Sequence, residues 1–598
     1  MSVTVVTGAA TNSGTNSPLR SMNPQTSQAS YPFGLVLFAL LLAIYKAAVL
    51  TTEMGADWYR FVTLLGLDAF FLTLLSLLAL LQLFTRLTWL RIVAWATLAF
   101  LAVYYLVDSF VLLALDEHAS LFEIGRYAPE WSVVLSFFDT SAYVAIGFLL
   151  VAMFISLKST KAVNRFGFVM LASTLLLAVL SAVSAPRTLR TYAMFDPQSL
   201  LEGMAPQNVT EFYSDQEIAF YGGLKPKAAA IPASKPDIIL LIIESLSSIN
   251  SEKISGVPGL LDGFDELSEE GVLFTNFFAN HQASEGGLIA LLGGFQPMHF
   301  PSATPYMFDE FANQPSVISE YRQQGYFTEF LTNADLAFIG LDHFLKGLGL
   351  DRSRGRDDVD EMRSAPRVVQ DAPSDAYLYR EALLSVQSQI SSDRPFMLTI
   401  ATTSTHLPYS HPDSGPDTPE AVWEWSMQQL HDFYSQLSGS GYFENGVLLI
   451  TGDHRQMRPL SETEIKRYGG SARARVPLLV IGRPYQRGQI DERFFQQSDL
   501  LRMLGKIDRG GTELSPHPIW VERYNRKYGR LELINSLSVF DEADQGRHEY
   551  RLTVPGNRIE WLDRKPEFAR RVETHIHSQR SLHQQMRNAR NTISVEVE

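Results

Sequence analysis

The strongest constraint on this 598-residue chain is a series of five apolar runs, near residues 32–50, 61–84, 89–115, 133–156 and 166–185. Each is close to the roughly 20 residues that cross a bilayer as a helix. Five in succession are too long and too apolar for the core helices of a soluble domain. They predict a transmembrane bundle over residues 32–186. The loops give its orientation. Arg86, Arg91, Lys158, Lys161 and Arg165 flank the even-numbered gaps without acids, whereas 116–132 carries Asp116, Glu117, Glu123 and Glu130 against Arg126. Positive loops stay in the cytoplasm, so the N-terminus is expected inside and the chain beyond about 187 outside. Arg187 and Arg190 run against that bias. Asp68, Asp108 and Asp139 fall within or near spans, where an acid marks either function or polar packing between helices.

Composition narrows the rest. A net charge of −14 offers no broad basic field for nucleic acid. Without a single cysteine the chain has no disulfide, thiolate metal site or cysteine nucleophile. Residues 1–31 are rich in Ser, Thr and Asn, carry no signal-peptide pattern and read as a disordered tail.

Residues 187–235 are mixed in texture and read as a linker with a short helix or two. From 236, strands and helices alternate. Strands are expected at 237–244, 326–331, 395–403, 446–452 and 476–482. Helices are expected at 259–270, 284–294, 314–324, 374–391, 418–438 and 498–505. This alternation predicts an α/β domain over 236–520 with a mostly parallel central sheet. Its sites would lie beyond the carboxyl ends of the strands. Residues 521–598 change character. Alternating stretches at 530–534 and 548–554 predict a small antiparallel sheet, and a polar helix at 565–592 follows. Its Arg and His suit a solvated face or anionic lipid headgroups.

Three strand ends carry the chemistry. The run PDIILLIIES ends abruptly in Glu244; TTSTHLPY follows the third strand and includes His406; LLITGDH ends in Asp453 and His454. Ser284 stands at the start of a short helical pattern, where it can cap the helix and where an anion is favoured. Carboxylate and imidazole ligands suit Zn²⁺, Mn²⁺ or Mg²⁺, and Glu244, Ser284, Asp453 and His454 together make an O/O/O/N set. Coordination would make the serine hydroxyl a nucleophile and neutralise a transferring phosphoryl group.

With these stretches, residues 236–505 resemble the alkaline phosphatase/sulfatase superfamily, and within it the lipoteichoic acid synthase and phosphoglycerol transferase branch. GVLFTNFFANHQASEGGLIALLGG and VPLLVIG, with Ser498 to Leu501 trailing, complete the likeness. The resemblance implies that Glu244, Asp453 and His454 are metal ligands, Mn²⁺ being favoured. It puts Ser284 where the family has its nucleophile, usually threonine. It makes His406 the histidine that contacts phosphate or protonates the leaving group. It further implies a double displacement that takes phosphoglycerol from a phospholipid, phosphatidylglycerol being favoured, to an envelope glycan or polymer. The catalytic domain would then stand outside the inner membrane.

The sequence also departs from that branch. Its Trp-Asn-Arg element corresponds here to Asn333–Gly340, without arginine, and Arg352, Arg354 and Arg356 are candidates for the missing charge. His281, His299, His343, His411, Asn280 and Asn333 are lesser candidates for the site. A phosphoethanolamine transferase of the same fold is an alternative, although that group carries disulfides. A sulfatase would need a motif that Ser284–Leu288 lacks. A phosphodiester hydrolase and an inactive relative complete the alternatives.

Overall fold

The computed structural model describes residues 33–53, 57–84, 87–115, 140–157, 162–184, 213–221, 228–298, 307–312, 314–392, 394–458, 460–509, 514–515, 517–523, 535–554 and 558–596. The expected tail at 1–31, most of 187–235, the 530–534 stretch, Asp139 and His299 lie outside them.

All five apolar runs contain helix: α1 (Phe33–Glu53), α2 (Trp58–Phe84), α3 (Thr88–Leu115), α4 (Thr140–Leu157) and α5 (Ala162–Ser184). Among the described residues, three stretches are long and apolar enough to cross a membrane, Gly34–Thr52, Trp58–Leu81 and Thr88–Leu113. The apolar stretches described in α4 and α5 are shorter, Val144–Phe154 and Val169–Leu180. Helix α2 packs on α1, α3 and α5. Side chains such as Ile92, Phe148 and Leu176 stay exposed, as lipid-facing groups would. Inside this apolar packing Asp68 is fully buried. It is met by Lys46 Nζ at 2.5 Å and by the Tyr105 hydroxyl, which donates at 2.7 Å. Of the two readings of that acid, polar packing between helices is the one this geometry carries. Arg60 of α2 also reaches Glu462 of the following domain, at 3.6 Å.

The α/β domain is built on one buried strand. Strand β1 (Asp237–Ile243) is followed in the chain by β2 (Gly271–Phe274), β3 (Phe277–Phe278), β4 (Phe327–Thr332), β5 (Arg352–Arg354), β6 (Phe396–Ala401), β7 (Gly446–Gly452), β8 (Leu478–Gly482), β9 (Gln489–Asp491) and β10 (Phe495–Gln496). Eight of these form a sheet in the order β5-β4-β6-β1-β7-β8-β2-β9. Pairing is parallel except that β8 runs against both β7 and β2. All five expected strands are present within a residue or two. The strands not expected are short; β5 and β9 close the two edges and β2 lies next to β9. Three or four residues give no readable alternation.

A strand covered on both faces has no polar side, and β1 accordingly reads as an unbroken apolar run. Ile238, Leu240 and Ile242 enter the core that holds Leu291, Val317, Phe344 and Leu500. Ile239, Leu241 and Ile243 enter the opposite one, with Phe264, Leu378, Trp423 and Phe433. Each buried side chain contributes roughly 1.5–3 kcal/mol.

The C-terminal sheet is antiparallel, in the order β11 (Trp520–Arg523), β12 (Asn535–Phe540), β13 (Glu549–Val554), β14 (Glu560–Trp561). Helix Ala569–Glu596 does not lie free, as its polar composition suggested. Val572 and Ile576 pack against Trp520, Leu537, Val539 and Leu552, and Arg580, Ser581 and Gln584 are buried as well. Gln584 exchanges hydrogen bonds with the Tyr213 backbone, which precedes the short helix Asp215–Tyr221. The helix hides polar side chains by pairing them, so its burial leaves no apolar stripe in the sequence.

Two outcomes follow. Leu240→Ala, removing a side chain that is wholly buried, lowers stability by about 2–5 kcal/mol, read as a lower urea midpoint of the purified chain. Lys46→Met strands the Asp68 carboxylate and lowers the thermal midpoint in micelles. Lys46→Met with Asp68→Leu recovers most of that loss, because a buried pair is replaced by apolar packing.

Candidate active site

The sheet register brings the strand ends together. Ile243 pairs with Gly452 across β1 and β7, so Glu244 and Asp453 leave the sheet side by side. On the other flank Ile242 pairs with Ala401. The Thr402 N–H therefore donates to the Ile242 carbonyl at 3.0 Å, and the Glu244 N–H donates to Thr402 Oγ1 at 3.1 Å. Ser245 then turns into the left-handed region, with φ of +60°. A non-glycine residue held there costs of order 1–3 kcal/mol. The turn aims its N–H at Asp453 Oδ1, 2.9 Å away, and its hydroxyl at Glu244 Oε1, 2.8 Å away.

Ser284 comes from another element. The helix Ser284–Leu288 starts with Ala283 as its N-cap, and Ser284 is the first helical residue. Its hydroxyl is thus not spent on a cap, contrary to the simplest reading of a serine before an apolar helix. It lies 3.3 Å from Glu244 Oε2 and 3.2 Å from His454 Nε2. This approach needs glycine at 287. A Cβ there would stand 2.2 Å from the Asp453 carbonyl oxygen.

His454 is oriented by its other nitrogen. Nδ1 lies 2.8 Å from the Arg455 carbonyl, which can only accept, so Nδ1 carries the proton and Nε2 presents a lone pair. That lone pair faces Glu244 Oε1 at 3.5 Å and Asp453 Oδ2 at 3.3 Å. Burial, and then the charge of Glu244, push the Asp453 carboxyl above the ordinary range. Two buried carboxylates, an imidazole lone pair and a hydroxyl oxygen are an excess of acceptors without a cation. One ligand atom from each of Glu244, Asp453 and His454 lies within 4.8 Å of the others. Ligands about 2.0–2.2 Å from one tetrahedral ion stand about 3.4 Å apart, close to the 3.2–3.5 Å that separate His454 Nε2 from Ser284 Oγ, Asp453 Oδ2 and Glu244 Oε1. The donor set fits a divalent cation.

His406 lies on the loop after β6. It is buried, with Nδ1 2.5 Å from the Leu407 carbonyl and Nε2 2.7 Å from the Gln370 side-chain nitrogen. Burial pushes its pKa down to about 4, with smaller effects from the Leu407 carbonyl and from the His454 ring. The ring is uncharged at neutral pH.

Behind these groups lies a layer that the sequence did not disclose. Asp375, also raised by burial, accepts from the N–H groups of Thr403 and Ser404 and so shapes the His406 loop. Gln497 Nε2 donates to the Gly452 and Asp453 carbonyls, both at 2.8 Å. Asn280 accepts from Ser498 N–H and donates to Gln496 and to the Trp520 carbonyl. The Glu522 N–H donates to the Asn280 carbonyl, which fastens β11 to the loop carrying Ser284. Such amides are unremarkable in a sequence, since their partners are 40 to 240 residues away.

The lesser candidates are otherwise engaged. Arg352 and Arg354 pair with Glu329, and Arg354 also with Glu381. Arg356 is ringed by Asp335, Asp357 and Asp371. Asn333 bonds to Pro373 and Asp375, His343 pairs with Asp309, and His411 caps its own loop by accepting from Asp413 and Gly415. His281 is buried and accepts from the Ala283 N–H. Asn280 is structural, as described.

Residues 236–506 match the model of the Sulfatase family. Lipoteichoic acid synthase 1 of Bacillus subtilis is 22% identical over 345 residues, covering 53% of this chain and 50% of that protein. Phosphoglycerol transferase I of Salmonella paratyphi B is 23% identical over 261 residues, covering 41% of this chain and 34% of that one. The matches thus span half or less of these relatives. The crystal structure of lipoteichoic acid synthase LtaP from Listeria monocytogenes aligns with a TM-score of 0.45 and 18% identity, over 62% of this chain and 97% of that one. Behind its apolar N-terminal helices, this chain carries a sulfatase-family domain at residues 236–506.

Proposed function

We propose that the protein is a membrane-anchored, metal-dependent transferase. It moves phosphoglycerol from phosphatidylglycerol, through a covalent Ser284 intermediate, to a hydroxyl of an envelope glycan or polymer. One observation carries this reading: an uncapped serine hydroxyl at 3.2–3.3 Å from two members of a buried cluster suited to a cation. The two relatives, a lipoteichoic acid synthase and a phosphoglycerol transferase, support the phosphoglycerol group. In this reading residues 32–186 span the inner membrane five times with the N-terminus inside. Residues 187–235 link, 236–520 catalyse outside the membrane, and 521–598 buttress the site.

Glu244, Asp453, His454 and Ser284 would hold the ion. Bound there, a divalent cation (Mn²⁺ in this reading, with Zn²⁺ or Mg²⁺ as alternatives) would make the serine hydroxyl more acidic and offset charge on the phosphoryl oxygens. Ser284 loses its proton to bulk water and its oxygen bonds to phosphorus, while the bond from phosphorus to the diacylglycerol oxygen breaks. That oxygen leaves with a proton from His406. In the second half the acceptor hydroxyl gives its proton to His406 and its oxygen bonds to phosphorus, while the bond from phosphorus to the Ser284 oxygen breaks and Ser284 takes a proton back from bulk water. A neutral buried histidine suits the second half directly. In the first, the arriving phosphate anion raises the ring's pKa from about 4 towards that of a useful acid.

Two measurements test this. After incubation with phosphatidylglycerol and Mn²⁺, the intact chain gains one glycerophosphate, mapped to Ser284 by peptide mass spectrometry and missing in Ser284→Ala. An adduct from phosphatidylethanolamine instead would make the enzyme a phosphoethanolamine transferase. Release of glycerophosphate to water without an adduct would make it a hydrolase. Independently, Glu244→Ala and Asp453→Ala lose most of the bound Mn²⁺, measured by elemental analysis, while circular dichroism stays unchanged. Undiminished metal in both would sink the ligand assignment.

A further inference from the structure

A second site lies at the other end of the helical segment that begins at Ser284. Gly294, Phe295, Gln296 and Met298, the short helix Gln497–Met503 and the helix Ala569–Glu596 border a cavity of about 820 Å³. That is within the roughly 300–1,000 Å³ typical of small-molecule sites.

One part of its lining is apolar. Phe295 stacks on Phe311, with centroids 5.5 Å apart, and Met298 and Leu582 line the same space. The carboxylates on its wall are already answered. Asp499 meets His517 Nδ1 at 3.1 Å and the Gln496 amide at 2.6 Å, and Glu320 meets Arg502 at 2.6 Å. His517 stacks on His575, whose Nε2 lies 2.7 Å from Gln296 Oε1. Burial holds His575 well below the usual imidazole range, so that ring adds no charge. Arg570 and Arg571 also line the cavity. Both are exposed, and neither makes an ion pair among the described residues. The cavity is therefore apolar on one side, has its two carboxylates hydrogen-bonded along one wall, and carries two exposed guanidinium groups at Arg570 and Arg571.

We propose that this cavity binds a phosphate-bearing amphiphile with a single alkyl chain. The chain lies against Phe295, Phe311 and Leu582, and the phosphate meets the forks of Arg570 and Arg571. Charge complementarity selects the head, and the aromatic wall selects the tail. The assignment does not depend on the chemistry at Ser284.

The test uses the full-length chain held in a detergent-free peptide belt. A lysophosphatidic acid with a diazirine at the chain end is photolysed, and the label is mapped by mass spectrometry. The label is expected on peptides containing 294–298 or 582–586. Dodecyl phosphate is expected to compete, and dodecanol and inorganic phosphate are not. The double change Arg570→Ala with Arg571→Ala lowers labelling by about tenfold or more, as loss of charge-assisted hydrogen bonds would. Leu582→Trp, which fills the cavity from a half-buried position, lowers it similarly. Met586→Trp replaces that variant if its thermal midpoint falls. Label confined to helices α1–α5, or equal labelling in the variants, would overturn the proposal. So would competition by inorganic phosphate as strong as by dodecyl phosphate, which would leave an anion site without a chain site.

Discussion

Everything at the candidate site depends on how β1 pairs with its two neighbours. The strand is buried on both faces, and its register to β6 and β7 is set by interdigitating side chains on each side. Slipping a parallel strand by one residue would exchange the two faces and move Glu244 away from Asp453. The apolar packing of six consecutive side chains therefore sets the spacing of carboxylates that lie beyond the sheet. Stability and geometry have the same source here.

Bringing two carboxylates and an imidazole lone pair into a buried space is costly by itself. The chain accepts that cost and surrounds the cluster with rigid support. Gln497 clamps the carbonyls at the end of β7, Ser245 is held in a strained turn, and Asp375 gathers the backbone of the His406 loop. Such a frame keeps acceptors facing one another where a flexible one would let them part. A cation bound there would meet a formed site, with little reorganisation on binding.

The C-terminal subdomain belongs to this frame. Its first strand is fastened to the loop that carries Ser284, and its helix buries arginine, serine and glutamine as well as isoleucine and valine. The same helix borders the second cavity, so one element both packs against the strand fastened to the Ser284 loop and walls that cavity.

Much of this was legible beforehand, for identifiable reasons. The five apolar runs, the five longer strands and the residues Glu244, Asp453 and His454 are marked by local pattern: runs near bilayer length, unbroken apolar strands, ligands directly after a strand. Local pattern is what a sequence records, since neighbours in the chain share one element and one face. Other features depend on pairs far apart in the chain. The hydroxyl of Ser284 is available because Ala283 takes the cap and Gly287 lets the helix approach Asp453. The arginines at 352, 354 and 356 are consumed by acids on other elements. The helix at 569–596 is polar in sequence, yet it buries Arg580, Ser581 and Gln584 beside Val572 and Ile576. Sequence by itself determined the apolar N-terminal helices, the sheet and the identity of the acceptors. Only the tertiary structure decided which polar groups remain available, because each hydrogen bond and ion pair is settled by a partner that folding brings from elsewhere.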